Sequence, residues 1–199
     1  MIVSMLIFAF VTSFTPGPNN IMAMVFTNKY GVKQTFRFCL GVGIGFLVIL
    51  CLSGFFNMIL YQVMPKIGWV MAFIGAGYMI YLAVKIMKSK GGDDETLDRY
   101  NHFIPGMLLQ FINPKAILYG LTVISTFVLP YGQSNMQYML LTLILAIIGF
   151  LGTFSWSLFG SVFKRFLTLY QRPFQFVMGL LLIYSAISMI WGYVMGYVM

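Results

Sequence analysis

Apolar and polar positions in this chain are segregated by whole segments rather than by the turns of single helices. Six stretches, at roughly 1–27, 38–60, 67–87, 104–129, 137–163 and 174–198, are apolar almost all the way round. Each reaches the about 20 residues that a helix needs to cross a bilayer. Between the third and fourth lies the one long polar segment, Lys88 to His102, holding all four acidic residues, Asp93, Asp94, Glu95 and Asp98. The pattern predicts an all-α integral membrane protein of six transmembrane helices. It divides into a first three-helix unit at 1–87, a polar loop at 88–103 and a second unit at 104–199, within a single transmembrane domain over 1–199. No Lys or Arg precedes the apolar run Ile2 to Val11, which therefore reads as a retained first span rather than a secretory signal.

The basic residues set an orientation. The first, third and fifth loops hold Lys29, Lys33 and Arg37; Lys85, Lys88, Lys90 and Arg99; and Lys164, Arg165 and Arg172. The second loop holds only Lys66, and the fourth loop and both termini hold none. By the positive-inside rule the odd loops and the polar loop at 88–103 face the cytoplasm, and both termini face outward.

The two halves resemble each other. Gly45-Phe46 recurs as Gly149-Phe150 at an offset of 104, and Ile80-Tyr81-Leu82-Ala83 as Ile183-Tyr184-Ser185-Ala186 at 103. The first span is interrupted at Thr15-Pro16-Gly17 and the fourth at Asn113-Pro114-Lys115, an offset of 98. Three correspondences in one order point to two three-helix repeats. Because three is odd, the repeats are inverted across the membrane, a plan common among secondary transporters.

The interruptions carry the chemistry. In Thr15-Pro16-Gly17-Pro18-Asn19-Asn20 two prolines remove amide donors and Gly17 is expected to adopt angles closed to other residues. One proline alone would make a kink; this cluster reads as a helix break with a restart near Asn19 or Asn20. A restart leaves N–H groups and a partial positive charge suited to a carboxylate. In the fourth span, Gln110 precedes Asn113-Pro114, an N-cap followed by a proline suited to the first helical position. Thr15, Pro16, Gly17, Pro18, Asn19, Asn20, Gln110, Asn113, Pro114 and Lys115 are the candidate substrate-binding or pathway residues.

Lys115 stands out because a lysine at a helix centre costs about 2.5–3.5 kcal/mol, and no span contains a carboxylate to neutralise it. Two partners remain open for it: an anionic group of a substrate, or lipid phosphates and backbone carbonyls. In the fifth span Thr153, Ser157 and Ser161 share one face, which reads first as close helix packing and second as a pathway lining. Gly41…Gly45 and Gly192…Gly196 have the small-xxx-small packing pattern, which serves a homodimer or the chain's own packing equally well. Tyr61, Trp69, Tyr131, Tyr138, Tyr170 and Trp191 fall near predicted membrane boundaries, where anchoring suffices as a role.

Composition agrees and excludes alternatives. Sixty per cent of the chain is hydrophobic and 8% charged, against roughly a quarter charged in soluble domains; mean hydropathy is +0.91. The net charge of +8 sits in short loops without aromatic interleaving, so no nucleic-acid partner is expected. Cys39 and Cys51 lie about 18 Å apart along one helix, too far for a disulfide, and read as buried apolar filler. His102, the only histidine, lies at a span edge and reads as solvated. With no acids beside it in any span, neither a metal site, a cofactor nor an enzymatic centre is expected.

Ser13 to Asn20 together with Asn113-Pro114-Lys115-Ala116 resemble the lysine-exporter and homoserine-resistance (LysE/RhtB) translocator family, over nearly the whole chain. Leu118-Tyr119-Gly120 followed by Ser125-Thr126-Phe127-Val128-Leu129-Pro130 is similar to the branch exporting cysteine and O-acetylserine. The resemblance implies efflux of amino acids or their derivatives across the bacterial inner membrane, driven by an ion gradient, with a proton as the expected coupling ion. No intramembrane carboxylate exists to relay that proton, so no residue is assigned to the step. The lack of a fixed acid favours a small neutral substrate over a dibasic one. The competing expectation is a permease for another small solute or a metal ion on a related scaffold.

Overall fold

The computed structural model describes residues 2–55, 70, 73–74, 76–81, 83–88, 98–130, 134–163 and 169–198. Regular structure among them is helical: α1 (Ile2–Phe14), α2 (Pro18–Tyr30), α3 (Val32–Phe55), α4 (Phe103–Ile112), α5 (Pro114–Val123) running into a π-helical turn (Ile124–Val128), α6 (Asn135–Val162) and α7 (Gln171–Val198). The third expected span is described only in part. Tyr61, Lys66, Trp69, Lys90, Asp93, Asp94, Glu95, Tyr131, Lys164, Arg165 and the packing of Gly192 and Gly196 lie outside the described residues.

Among the described residues α3 and α6 are each long and apolar enough to cross a bilayer. Two bent pairs bring the candidate spans to four: α1 with α2, bent by 50°, and α4 with Lys115–Val128, bent by 71°. The breaks fall at Pro16 and Pro18 and at Pro114 because proline cannot donate to the helix ladder and fits the first helical position.

The first connection is shorter than expected. Gly31 alone joins α2 to α3, at φ 84° and ψ 164°, a region that side chains other than hydrogen rarely enter. Its N–H donates to Thr27 O at 2.9 Å, closing α2, while its carbonyl accepts from Thr35 N at 3.2 Å and Thr35 Oγ1 at 3.0 Å, opening α3. Lys33 and Arg37 therefore ride on the first turns of α3 rather than in a loop. Gly31→Ala is expected to destabilise the protein by about 1–3 kcal/mol; an unchanged melting temperature in detergent would contradict it.

Lipid removes the usual hydrophobic drive between helices, so close packing of backbones takes its place. A Cβ on Gly41 would overlap the Phe103 carbonyl, and one on Gly106 the Phe38 carbonyl; on Gly45 it would lie 2.6 Å from Met107 O. The Gly41…Gly45 stripe is thus filled by α4 of the same chain. On the other side α6 presses on the first broken pair, with Gly152 against Ser13 O and Gly160 against Met24 O. The polar stripe on α6 divides: Ser157 shares a buried hydrogen bond with Thr27 at 2.5 Å, whereas Thr153 lines a cavity. Cys39 is buried as expected, whereas Cys51 is exposed, since twelve residues of helix turn it onto the outer face of α3.

Candidate functional site

The two breaks meet. At the first, the carbonyls that close α1 are satisfied by side chains from the break itself, from α2 and from α6. Thr15 Oγ1 donates to Thr12 O at 2.9 Å. Asn20 Nδ2 donates to Ser13 O at 2.8 Å and Thr15 O at 2.9 Å. Trp156 Nε1, from α6, donates to Phe14 O at 3.0 Å.

Helix α2 restarts at Pro18 with Gly17 as N-cap, earlier than Asn19 or Asn20, because proline's fixed φ suits that position. Asn20 instead folds back to close α1, and its own Oδ1 accepts from Thr153 Oγ1 at 3.0 Å. Gly17 sits at φ −169° and ψ 173°, extended backbone that any residue adopts. Its lack of a side chain answers a spatial demand instead: a Cβ there would stand 3.2 Å from Lys115 Nζ and 3.3 Å from its Cδ.

At the second break Asn113 caps α5 as expected, its Oδ1 accepting from Lys115 N at 3.1 Å, with Pro114 opening the helix. Lys115 then reaches across to the first break. Its ammonium donates to Thr15 Oγ1 at 2.9 Å, Thr15 O at 3.1 Å and Pro16 O at 3.5 Å. Three donors meet three oxygens. The cation lies at the C-terminal end of α1, where the helix dipole favours positive charge, offsetting its poor position at the start of α5. A second tie joins Asn19 Nδ2 to Gln110 Oε1 at 2.9 Å.

These residues line a cavity of about 50 Å³, space for a few water molecules. It adjoins a larger one of about 450 Å³, within the range of small-molecule sites. Thr12, Gly17, Pro18, Asn113, Lys115 and Tyr119 border both, so Lys115 belongs to the lining of each. Pro16 borders the larger cavity and Asn19, Asn20 and Gln110 the smaller. All the expected site residues are therefore gathered at one place, either on the lining or in the break that holds it.

Some lining residues were not singled out by sequence. Tyr119 is wedged between Phe8 of α1, at a ring distance of 5.6 Å, and Phe46 of α3, at 4.9 Å. Trp156 gave one usable signal: an indole N–H inside an apolar span requires an acceptor.

Asn20 carries the most connections at the first break. Asn20→Leu leaves two carbonyls and the Thr153 hydroxyl without this partner and is expected to lower stability by about 2–4 kcal/mol. A melting temperature in detergent equal to that of the unmodified protein would show that the break is held elsewhere.

Comparison with known proteins shows the family. Residues 10–192 match the family described as LysE type translocator. A cysteine/O-acetylserine efflux protein of Salmonella paratyphi A is 36% identical over 180 residues, covering 90% of this chain and 92% of the relative. One from Klebsiella pneumoniae is 34% identical over 190 residues, covering 96% and 97%. A third, from Escherichia coli O1:K1, is 36% identical over 180 residues, covering 90% and 92%. No solved structure matches the chain. A helical chain with two broken apolar helices, matched over almost its whole length, belongs to the LysE-type translocator family.

Proposed function

We propose that this chain exports small neutral amino acids or their derivatives, of the cysteine and O-acetylserine kind, across the bacterial inner membrane. The carrying observation is Lys115, which borders both cavities and whose ammonium is held only by uncharged oxygens that a carboxylate can displace, with no acidic residue in any apolar span. A zwitterion presents one carboxylate to one fixed cation; a dibasic substrate would bring an unmatched positive charge. The names of the relatives point the same way. Thr15, Pro16, Gly17, Pro18, Asn19, Asn20, Gln110, Asn113, Pro114 and Lys115 form the binding region and its frame in this reading.

Alternating access runs between two inverted three-helix repeats, 1–87 and 104–199, joined by a cytoplasmic loop at 88–103. Helix pairing supports that symmetry: α3 packs on α4 and α5, while α6 packs on α1 and α2. Phe46 also lies over Gly149, and Phe150 over Gly43. Transport is coupled to an ion gradient, with a proton as the coupling ion.

Purified protein in liposomes tests the substrate class. Efflux of labelled O-acetylserine is expected to exceed that of lysine by at least about tenfold, the effect of about 1.4 kcal/mol; faster lysine efflux would sink the neutral-substrate reading. Orientation is tested separately. A reporter fused to the C-terminus is expected to be active only outside the cytoplasm, and a cytoplasmic signal would reverse the assignment.

A further inference from the structure

We propose that Asn19 is the residue that recognises the α-ammonium of the transported amino acid, with Gln110 as the positioning residue that turns its carbonyl toward the cavity. This rests on the amino-acid reading of the site given above.

The inference follows from a chain of amides. Gln110 Nε2 donates to the Gly106 carbonyl at 3.2 Å. That bond fixes which end of the Gln110 amide faces which way, since the reverse orientation would set two oxygens against each other. Gln110 Oε1 must then face Asn19, and it accepts from Asn19 Nδ2 at 2.9 Å. The Asn19 amide is fixed in turn, leaving Oδ1 as its free end. That oxygen is buried and has no hydrogen-bond partner, on a side chain that lines the smaller cavity. A buried acceptor without a donor is an expensive state in protein. A ligand donor removes the cost.

The rest of the lining says which donor. Lys115 borders both cavities and suits a carboxylate. Asn19 offers a neutral acceptor, and Ser13 and Tyr119, whose buried hydroxyls interact with each other, belong to the same uncharged lining. One fixed cation and a set of uncharged acceptors complement a carboxylate and an ammonium carried on the same small molecule. An uncharged acceptor also holds an ammonium less tightly than a carboxylate would, as release on the far side of a membrane requires.

A structural role alone, in which Asn19 merely ties α2 to α4, predicts no dependence on the substrate's amine. The two are separated by competition against labelled O-acetylserine in proteoliposomes, using unlabelled O-acetylserine and 3-acetoxypropionate, which lacks the amine. In the unmodified protein the amino acid is expected to compete at ~10- to 100-fold lower concentration than the analogue, the scale of one unsatisfied buried polar group. Asn19→Leu is expected to bring the two within about threefold. Gln110→Leu frees the Asn19 amide to turn and is expected to do the same. Gln110→Glu, in its protonated form, donates to the Gly106 carbonyl and accepts from Nδ2 as the glutamine does, and is expected to keep the discrimination. Retained discrimination in Asn19→Leu, or equal behaviour of Gln110→Leu and Gln110→Glu, overturns the inference while leaving the transporter reading intact. If Asn19→Leu does not fold, the Gln110 pair decides alone. Absence of O-acetylserine transport by the unmodified protein overturns both.

Discussion

A Lys115→Met variant is expected to export amino acids about 30- to 4,000-fold more slowly than the unmodified protein while remaining folded. Removing one member of a buried, hydrogen-bonded charge pair costs about 2–5 kcal/mol, and every 1.4 kcal/mol is about tenfold. Methionine keeps much of the length of the lysine side chain and removes its charge. The break tolerates the loss, because Thr15 O keeps its bond from Asn20 Nδ2 and Phe14 O its bond from Trp156. The defect therefore belongs to transport rather than to folding, and a monodisperse gel-filtration peak checks that separation. Lys115→Arg keeps the charge but brings a wider head group past Gly17, which already stands in close contact with the lysine side chain. It is expected to fall between the two. Efflux by Lys115→Met within twofold of the unmodified protein would remove the carboxylate-binding role of the lysine.

Leucine at Gly41 or Gly106 is expected to abolish folded protein. Each glycine faces a backbone carbonyl of the opposing helix at a distance that admits no side-chain carbon, and a carbonyl within a helix cannot swing aside as a side-chain tip can. Added methylenes in an ordinary core cost about 1–3 kcal/mol; here the whole α3–α4 interface must separate. The α3–α4 contact also positions Gln110 and the second break, so the site goes with it. Gly77→Ala is the matched control, since a Cβ there meets nothing within 4 Å and alanine is the better helix former. Yield of monodisperse protein in detergent reads both. Normal yield from Gly41→Leu or Gly106→Leu would mean that the two helices do not approach as closely as described.

The breaks were legible in the sequence because proline and glycine act locally: Pro16, Pro18 and Pro114 interrupt a helix wherever it lies. Asn113 was readable as an N-cap for the same reason. What those residues reach is set by neighbours distant in sequence, and local pattern is silent there. Asn20 has the chemistry to open a helix or to close the preceding one, and the carbonyls of Ser13 and Thr15 decide for closing. Gly17 sits in extended backbone that any residue adopts, and a Cβ there would crowd a lysine 98 positions later. Lys115 itself was conspicuous as a cation without an acid, but two of its three partners are the backbone carbonyls of Thr15 and Pro16, which every residue type carries and a side-chain pattern does not mark. Only assembly of the two halves supplies them.

The central claim, that the cavity where the two breaks meet receives the amino acid, is tested most directly by site protection. A single cysteine is placed at Thr12, which borders both cavities, in a protein whose Cys39 and Cys51 are replaced by alanine and which still transports O-acetylserine. Labelling by a small maleimide is then timed with and without the substrate. Saturating O-acetylserine is expected to slow labelling by at least about tenfold, as occupancy of a shared site excludes the reagent by mass action, while 3-acetoxypropionate at the same concentration leaves it nearly unchanged. Labelling at one rate with and without O-acetylserine, in protein that transports it, would contradict the claim and move the binding site elsewhere in the molecule.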